Sequence, residues 1–173
     1  MSTVSRPGAE CSGKESMCFH PQLNQYVSYP AIIGGHLAYL AIVQGLKMFM
    51  ANKKDAYNPK AFMLFYNAIQ VAFSVAQVIA LAPYLKNYLF NLDGEFDAKI
   101  EWWVFFHYCT KFCDFFDSFF MVLKKKGEQL SFLHVYHHLT IGVIWGLLLH
   151  NGIGNGTAFF GAWINSLVHS LMY

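Results

Sequence analysis

Five apolar runs, separated by short polar segments, constrain the fold of this 173-residue chain more than any other feature. They are predicted at residues 29–51, 61–85, 102–123, 131–150 and from 157 onward. A helix of about 20 apolar residues is long enough to cross the hydrocarbon core of a bilayer. Only 13% of the residues are charged, which is about half the share of an average soluble domain. The sequence therefore predicts an all-α, polytopic membrane protein with five transmembrane helices.

Lysines are concentrated in the segments that join the first run to the second and the third run to the fourth. The first segment and its flanks contain Lys47, Lys53, Lys54 and Lys60, and the second contains Lys124, Lys125 and Lys126. Cytosolic loops carry an excess of Lys and Arg, so we expect both segments to be cytosolic. The N-terminal tail, the acidic segment before residue 102 and the turn at 151–156 then lie in the lumen. That turn carries a glycosylation sequon at Asn155, which we expect to stay unmodified because the turn is so short.

Residues 1–28 are polar and lack the apolar stretch of a signal peptide. We expect them to form a flexible lumenal tail, followed by one transmembrane domain at 29–173. Cys11 and Cys18 lie in the tail, whereas Cys109 and Cys113 lie four residues apart in the third run, where helix geometry disfavours a disulfide. The cysteine spacing predicts no disulfide framework and no paired metal-binding motif.

Three histidines, His134, His137 and His138, lie near the cytosolic start of the fourth run. Their i, i+3, i+4 spacing places them on one face of a helix. A lone histidine on an apolar face is most often a structural core residue, but polar side chains at bilayer depth are costly to keep. The cluster therefore indicates a functional site.

The third run carries Lys111, Asp114 and Asp117 along one helical flank, with Ser118 beside them. With a rise of about 1.5 Å per residue, these carboxylates and the three histidines lie at a similar depth, about 5 to 13 Å from the cytosolic ends of their helices. Ionisable side chains inside a membrane more often mark a functional interior. The alternative, a salt bridge that only fixes helix packing, stays open.

Two more polar stripes follow helical spacing. Asn165, His169 and Tyr173 are spaced i, i+4, i+8 in the fifth run, which fits a functional site or a polar packing seam. The second run carries Asn67, Gln70, Ser74 and Gln77. Such a stripe on an otherwise apolar helix should face protein or a cavity rather than lipid.

Three strings, KxxDxxDS in the third run, QLSFLHVYHH in the fourth and NSLVHSLMY in the fifth, resemble in order and spacing the signature motifs of the ELO-type fatty acid elongases, the condensing enzymes of the endoplasmic reticulum. The resemblance covers residues 60–173. Asp114 and Ser118 stand where the family motif usually has Glu and Thr. Family members continue past the Met-Tyr pair with two further spanning helices, so we expect this chain to hold the first five of seven spans.

The resemblance implies condensation of a long-chain acyl-CoA with malonyl-CoA to give a 3-ketoacyl-CoA, carbon dioxide and coenzyme A. It also implies a multi-pass protein of the endoplasmic reticulum membrane with these two thioesters as substrates. No tightly bound cofactor, metal or nucleic acid is expected. A second copy of the chain and the other enzymes of the elongation cycle are the candidate protein partners. The histidine box resembles those of elongases that act on polyunsaturated chains.

For the reaction that the resemblance implies, His137 is the expected carrier of the acyl group, because we expect it in the centre of the HxxHH face, level with Asp114 and Asp117. Its expected catalytic partners are His134, His138, His169, Asp114 and Asp117. An imidazole can accept an acyl group from a thioester, burial favours its neutral form, and carboxylates can fix its tautomer. The expected substrate-binding residues are Lys111, Gln129, Asn165, Tyr173, Lys124, Lys125 and Lys126. Gln129, Asn165 and His169 would donate hydrogen bonds to the enolate left by decarboxylation. The three consecutive lysines suit coenzyme A phosphates or serve only as a topology signal.

Two alternatives to an elongase remain. The HxxHH pattern also occurs in membrane di-iron desaturases and hydroxylases, whose iron suits imidazole ligands, although those sites need several histidine boxes and this sequence has one. The other alternative is an inactive membrane fragment. Four histidines outside the motifs are expected to be structural, namely His20, His36, His107 and His150. A thiol nucleophile at Cys109 or Cys113 stays open.

Overall fold

The computed structural model describes residues 16–88, 97–154 and 158–173. A 3-10 helix at Pro21–Val27 precedes five α-helices: α1 at Tyr29–Ala51, α2 at Lys60–Tyr88, α3 at Ala98–Leu123, α4 at Phe132–His150 and α5 at Ala158–Met172. No strand occurs within these ranges. The prediction of an all-α fold is therefore confirmed.

Three of the helices are long and apolar enough to cross a membrane. They are α1, the Lys60–Lys86 part of α2, and α4. The α3 helix carries more charge, including Lys111, Asp114 and Asp117, and α5 is 15 residues long. The architecture is that of a multi-pass membrane protein, as the sequence predicts.

Three of the described helices, α1, α3 and α4, begin at a residue whose side chain caps the first turn. The side chain of Ser28 accepts a hydrogen bond from the backbone at Ala31, and Asp97 does the same for the first turn of α3. The Ser131 hydroxyl accepts from the backbone N–H of His134 at 3.2 Å. N-terminal caps of this kind satisfy backbone donors that have no intrahelical acceptor. The cap at Ser131 therefore fixes the start of α4 and places His134 in its first turn.

The α3 helix lies at the centre of the bundle and contacts each of the other four helices. The α2 helix packs mainly against α5, and α1 packs against both α3 and α4. At the α1–α4 contact, a side chain at Gly142 would clash with the His36 ring, and one at Gly146 would lie 2.8 Å from Ile32. Glycines four residues apart allow this kind of close approach between membrane helices.

The segment before α1 packs against the bundle. Met17 and Val27 are fully buried in the core. Glu101 of α3, itself buried, accepts hydrogen bonds from the backbone N–H groups of Phe19 and His20 and from the His20 ring at 2.9 to 3.1 Å. The prediction of a flexible tail is therefore wrong for residues 16–28, because their few apolar side chains and a buried carboxylate fix them to α3.

The cysteines also differ from expectation. Cys18 is disulfide-bonded, whereas Cys109 and Cys113 are free, as their helical spacing predicts. The expectation of no disulfide framework is thus wrong at Cys18. Three parts of the chain lie outside the described ranges: the N-terminal residues 1–15 with Cys11, the acidic segment at 89–96, and the sequon at Asn155.

The two lysine-rich turns meet at one end of the bundle. Lys125 has a positive φ of 54°, and its ammonium group donates hydrogen bonds to the backbone carbonyls of Lys53 and Lys54. The backbone N–H of Tyr57 donates to the carbonyl of Leu123 at 2.9 Å. Both turns therefore lie on the same side of the membrane, as the orientation prediction requires.

Candidate active site

Asp114, in the middle of α3, is the centre of a buried polar cluster. Its Oδ2 accepts a hydrogen bond from Lys111 Nζ at 2.9 Å, and its Oδ1 accepts one from Gln70 Nε2 at 2.5 Å. All three side chains are nearly inaccessible to solvent. A buried carboxylate is tolerated when it is paired and its oxygens are hydrogen-bonded. Both oxygens of Asp114 are therefore held in fixed directions.

The α5 helix adds its polar stripe to this cluster. Asn165 Oδ1 accepts a hydrogen bond from Lys111 Nζ at 2.8 Å, and His169 Nδ1 lies 3.9 Å from Asp114 Oδ2. The Tyr173 hydroxyl donates a hydrogen bond to Asp117 Oδ2. The i, i+4, i+8 spacing thus turns all three α5 side chains toward the charged flank of α3.

Two histidines of α4 face α3 at the same depth. His134 Nε2 and the Ser118 hydroxyl lie 3.0 Å apart, and the Ser118 hydroxyl is also 2.8 Å from the Tyr39 hydroxyl of α1. The His138 ring is buried, with its centroid 4.4 Å from that of His134. His138 also interacts electrostatically with Asp114. His134 therefore reaches α3 one turn from Asp114, in line with the similar depth expected for the imidazoles and the carboxylates.

His137 lies at the edge of the histidine face rather than at its centre. Its side chain is exposed, and its ring stands perpendicular to that of His138 at a centroid distance of 5.5 Å. It is close enough to His169 for an electrostatic interaction. With 3.6 residues per turn, position 137 points about 60° away from 134 and about 100° away from 138. His134 and His138 therefore turn into the bundle together, and His137 borders the open side of the cluster.

The remaining predicted substrate-binding residues lie outside the cluster. Gln129 is exposed on the turn before α4. Lys124 caps the C-terminus of α3, and Lys126 is exposed. The ammonium group of Lys125 bonds backbone carbonyls of the α1–α2 turn. These four side chains lie at the end of the bundle that holds the lysine-rich turns and are not brought into the hydrogen-bonded site.

Sequence reasoning missed three residues that the structure places in the site. Gln70 and Tyr66 of α2 bond to the carboxylate network, and Tyr39 of α1 bonds to Ser118. The polar stripe of α2 was the sequence feature that pointed to Gln70. Its expected orientation toward protein is confirmed, because Gln70, Ser74 and Gln77 are buried.

The four histidines outside the motifs have structural contacts. Each of them donates a hydrogen bond through its Nδ1 atom. The His20 ring donates to Glu101 and the His36 ring to the Ile32 carbonyl. The His107 ring donates to Gln77 and the His150 ring to the Val27 carbonyl. Within the described ranges, no group of three or more His, Cys, Asp or Glu side chains has the arrangement of a metal site.

The cluster combines the groups that acyl-transfer chemistry requires. Imidazoles at His134, His137 and His138 can act as nucleophiles or bases. Hydrogen-bond donors at Lys111 and His169 can stabilise negative charge that develops on a reacting carbonyl. These groups come from three helices, and the contacts of Asp114 with Lys111 and of Ser118 with His134 fix two of them.

Comparison with known proteins agrees with this arrangement. Residues 24–173 match the ELO (GNS1/SUR4) family. The chain is 58% identical over 164 residues to "Fatty acid elongase 5" of Leishmania major, a match that covers 95% of this chain and 66% of that protein. It is 52% identical over 168 residues to "Fatty acid elongase 4" of Trypanosoma brucei brucei, covering 97% of this chain and 66% of that protein.

A more distant relative is "Very long chain fatty acid elongase 2" of Rattus norvegicus, with 36% identity over 149 residues, 78% of this chain and 52% of that protein. The chain therefore spans just under two thirds of the length of its trypanosomatid relatives and about half that of the rat protein. The family match includes all the motif residues on α3, α4 and α5. By the extent of this match and the helices that carry it, the chain belongs to the ELO family of fatty acid elongases.

Proposed function

We propose that the protein is a fatty acid elongase that condenses a long-chain acyl-CoA with malonyl-CoA in the membrane of the endoplasmic reticulum. The products are a 3-ketoacyl-CoA two carbons longer, carbon dioxide and coenzyme A. One observation carries the proposal: within a chain of this family, Lys111, Asp114 and Asn165 form one hydrogen-bonded cluster, and His134 of α4 contacts Ser118 one turn further along α3. An imidazole nucleophile, carboxylates and hydrogen-bond donors are then together where an acyl thioester could react.

In the first half-reaction, an imidazole nitrogen attacks the thioester carbonyl carbon. A bond forms between nitrogen and the acyl carbon, the carbon–sulfur bond breaks, and the thiolate of coenzyme A leaves with the imidazole proton. We assign this role to His137, because its exposed ring borders the open side of the cluster and can meet a substrate. His134 and His138, turned inward, would position it.

In the second half-reaction, malonyl-CoA loses carbon dioxide and leaves an enolate. Asn165 and His169 are the candidate donors to the enolate oxygen. The enolate carbon attacks the acyl carbon, the bond to imidazole breaks, and the imidazole regains a proton. Each turnover therefore consumes one proton from the surroundings. Splitting the condensation in this way predicts ping-pong kinetics, with coenzyme A released before malonyl-CoA binds.

The carboxylates have a positioning role in this proposal. Asp114 lies 3.9 Å from His169 Nδ1, and a hydrogen bond at this position would fix the tautomer of the His169 ring. Contacts of this length in a substrate-free site often shorten when substrate binds. Asp117 holds the Tyr173 hydroxyl, which keeps the end of α5 against α3.

In this proposal, the two ends of the site bind different parts of the substrate. The lysines at the cytosolic turn, Lys124 and Lys126, suit the phosphates of coenzyme A as point charges. The acyl chain would extend into the apolar, aromatic-rich bundle, and we propose polyunsaturated chains as candidate substrates. A second copy of the protein and the other enzymes of the elongation cycle are the proposed partners.

The test is an elongation assay on the protein expressed from its full reading frame in microsomes. Long-chain acyl-CoA and labelled malonyl-CoA should give a labelled 3-ketoacyl-CoA. His150→Ala, a histidine at the opposite end of α4, should retain the activity, and Asn165→Leu should lower it by about 100-fold or more, as for loss of an oxyanion donor. Folded, membrane-inserted protein that gives no labelled product with saturated or polyunsaturated acyl-CoA would contradict the proposal.

A further inference from the structure

The α2 helix lies outside the three motifs, yet it contributes the amide that joins the two carboxylates of the site. Gln70 is 3% exposed. Its Nε2 donates to Asp114 Oδ1 at 2.5 Å and to the Tyr66 hydroxyl oxygen at 3.1 Å. An amide nitrogen has two hydrogens, so each contact uses one of them. Gln70 is therefore shared between Asp114 and Tyr66.

Tyr66 extends this contact toward the second carboxylate. Its hydroxyl lies 3.4 Å from the Tyr173 hydroxyl, and Tyr173 in turn donates to Asp117. The Tyr66 hydroxyl also lies 3.2 Å from the carbonyl oxygen of Cys113, the residue before Asp114. Tyr66 has a single hydroxyl hydrogen, which it donates to the Cys113 carbonyl, so the step from Tyr66 to Tyr173 is a 3.4 Å contact between two hydroxyl groups. Gln70 and Tyr66 of α2 thus connect Asp114 with the Tyr173–Asp117 pair.

We infer that Gln70 and Tyr66 are positioning residues of the condensation site, an inference that rests on the proposed function. Gln70 holds Oδ1 of Asp114, so that Oδ2 stays directed at Lys111 and His169. Without the amide, Oδ1 would be a buried acceptor with one donor fewer, a costly state that favours rotation of the carboxylate. Rotation would move the oxygen that faces His169.

The chain offers a matched control for Gln70 on the same helix. Gln77 lies two turns further along α2 and is also buried, at 1% exposure. It bonds to His107 and to the carbonyl of Phe73, not to a carboxylate. Gln70→Leu and Gln77→Leu therefore remove the same amide from equally buried positions, and only the first change touches the carboxylates.

Kinetics of the enzyme expressed from its full reading frame test the inference. Gln70→Leu should lower kcat about 30- to 100-fold, the size expected when a reacting group is misplaced, and should leave the KM for acyl-CoA within about twofold. Gln77→Leu should keep kcat within about twofold of the wild-type value, although its loss of thermal stability should be similar to that of Gln70→Leu. Tyr66→Phe, which keeps the contact between Gln70 and Asp114, should lower kcat less than Gln70→Leu. Equal kcat values for the two leucine variants would overturn the inference.

A stability measurement separates this inference from the proposed reaction. Gln70→Leu and Tyr66→Phe remove opposite ends of one hydrogen bond, so the Tm loss of the double variant should be smaller than the sum of the two single losses. This cycle needs no activity. If wild-type protein does not elongate, the proposed function fails while the cycle still tests the contact. Strictly additive Tm losses would overturn the contact, and with it the positioning role, even in an active enzyme.

Discussion

At the scale of single residues, the site depends on charges that are buried away from water. Lys111 and Asp114 are each 3% exposed and neutralise one another, while Asn165 and Gln70 complete their hydrogen bonds. Loss of one member of a buried ion pair leaves an uncompensated charge, which costs more than loss of both. The pair should therefore respond to substitution as a unit.

Lys111→Met should destabilise the protein strongly, because it leaves the Asp114 carboxylate buried without its cation. We expect a fall in apparent Tm of about 10 °C in detergent, from an ion-pair loss of about 3 to 5 kcal/mol. The double variant Lys111→Met with Asp114→Asn should recover part of that loss and remain inactive. Lys60→Met, at an exposed lysine, is the control and should leave Tm unchanged. A double variant less stable than Lys111→Met would contradict this account.

Replacement of His137 should abolish the first half-reaction. With acyl-CoA alone, wild-type enzyme should release coenzyme A and gain the mass of one acyl group, whereas His137→Ala should do neither. Intact-protein mass spectrometry followed by peptide mapping is the measurement, with His150→Ala as the control. Absence of an adduct on wild type, or an adduct that maps to Cys109 or Cys113, would exclude an imidazole carrier.

Spacing within one helix made much of the site predictable. Asn165 and His169 lie on one face of α5 whatever the packing, so their approach to the charged flank of α3 could be expected. Gln70 and Tyr66 could not be assigned, because a polar stripe shows which face of α2 is buried but not which residue it meets. That depends on how α2 lies against α3, which follows from the packing of the whole bundle.

At the scale of helices, the contact between α1 and α4 positions the histidine box. Gly142 and Gly146 let α4 approach His36 and Ile32 closely, and the same helix carries His134 and His138 one to two turns earlier. The rotation of α4 that turns these two histidines inward is thus set partly by the glycine contact. A side chain at this contact should disturb the site without touching it.

Gly142→Leu should therefore lower both stability and activity. The added side chain would meet the His36 ring and separate α1 from α4, an overpacking change that costs about 1 to 3 kcal/mol. Gly45→Leu on α1 is the control, because a side chain there meets nothing within 4 Å. Apparent Tm in detergent and elongation activity are the measurements. Equal behaviour of the two variants would show that the glycine contact does not position α4.

Helix positions followed from the sequence more closely than the N-terminal segment did. The apolar runs predicted at 29–51, 61–85, 102–123 and 131–150 end within a few residues of the observed helices. The packing of residues 16–28 against the bundle was not predicted, because their polar composition indicates a flexible tail. Their attachment depends on single contacts, such as that between His20 and Glu101, which have no periodic signal in the sequence.

At the scale of the whole molecule, the two ends of the bundle differ in chemistry. One end holds the lysine-rich turns, joined by Lys125. The other end holds the segment at 16–28, where His150 of α4 donates to the Val27 carbonyl at 3.0 Å and Cys18 is disulfide-bonded. Disulfides persist in oxidising compartments such as the lumen of the endoplasmic reticulum. The lysine asymmetry and the disulfide thus independently favour a lumenal N-terminus.

We accordingly predict that an epitope tag at the N-terminus is protected from protease added to sealed microsomes. Cytosolic placement of the lysine-rich turns requires it, because an odd number of crossings separates the N-terminus from the turn between α1 and α2. A tag inserted at Asp55, in that turn, is the matched control and should be digested in the same vesicles. After detergent opens the vesicles, both tags should be lost. Digestion of the N-terminal tag in intact vesicles, with the Asp55 tag protected, would reverse the orientation and place the histidine cluster near the lumenal surface.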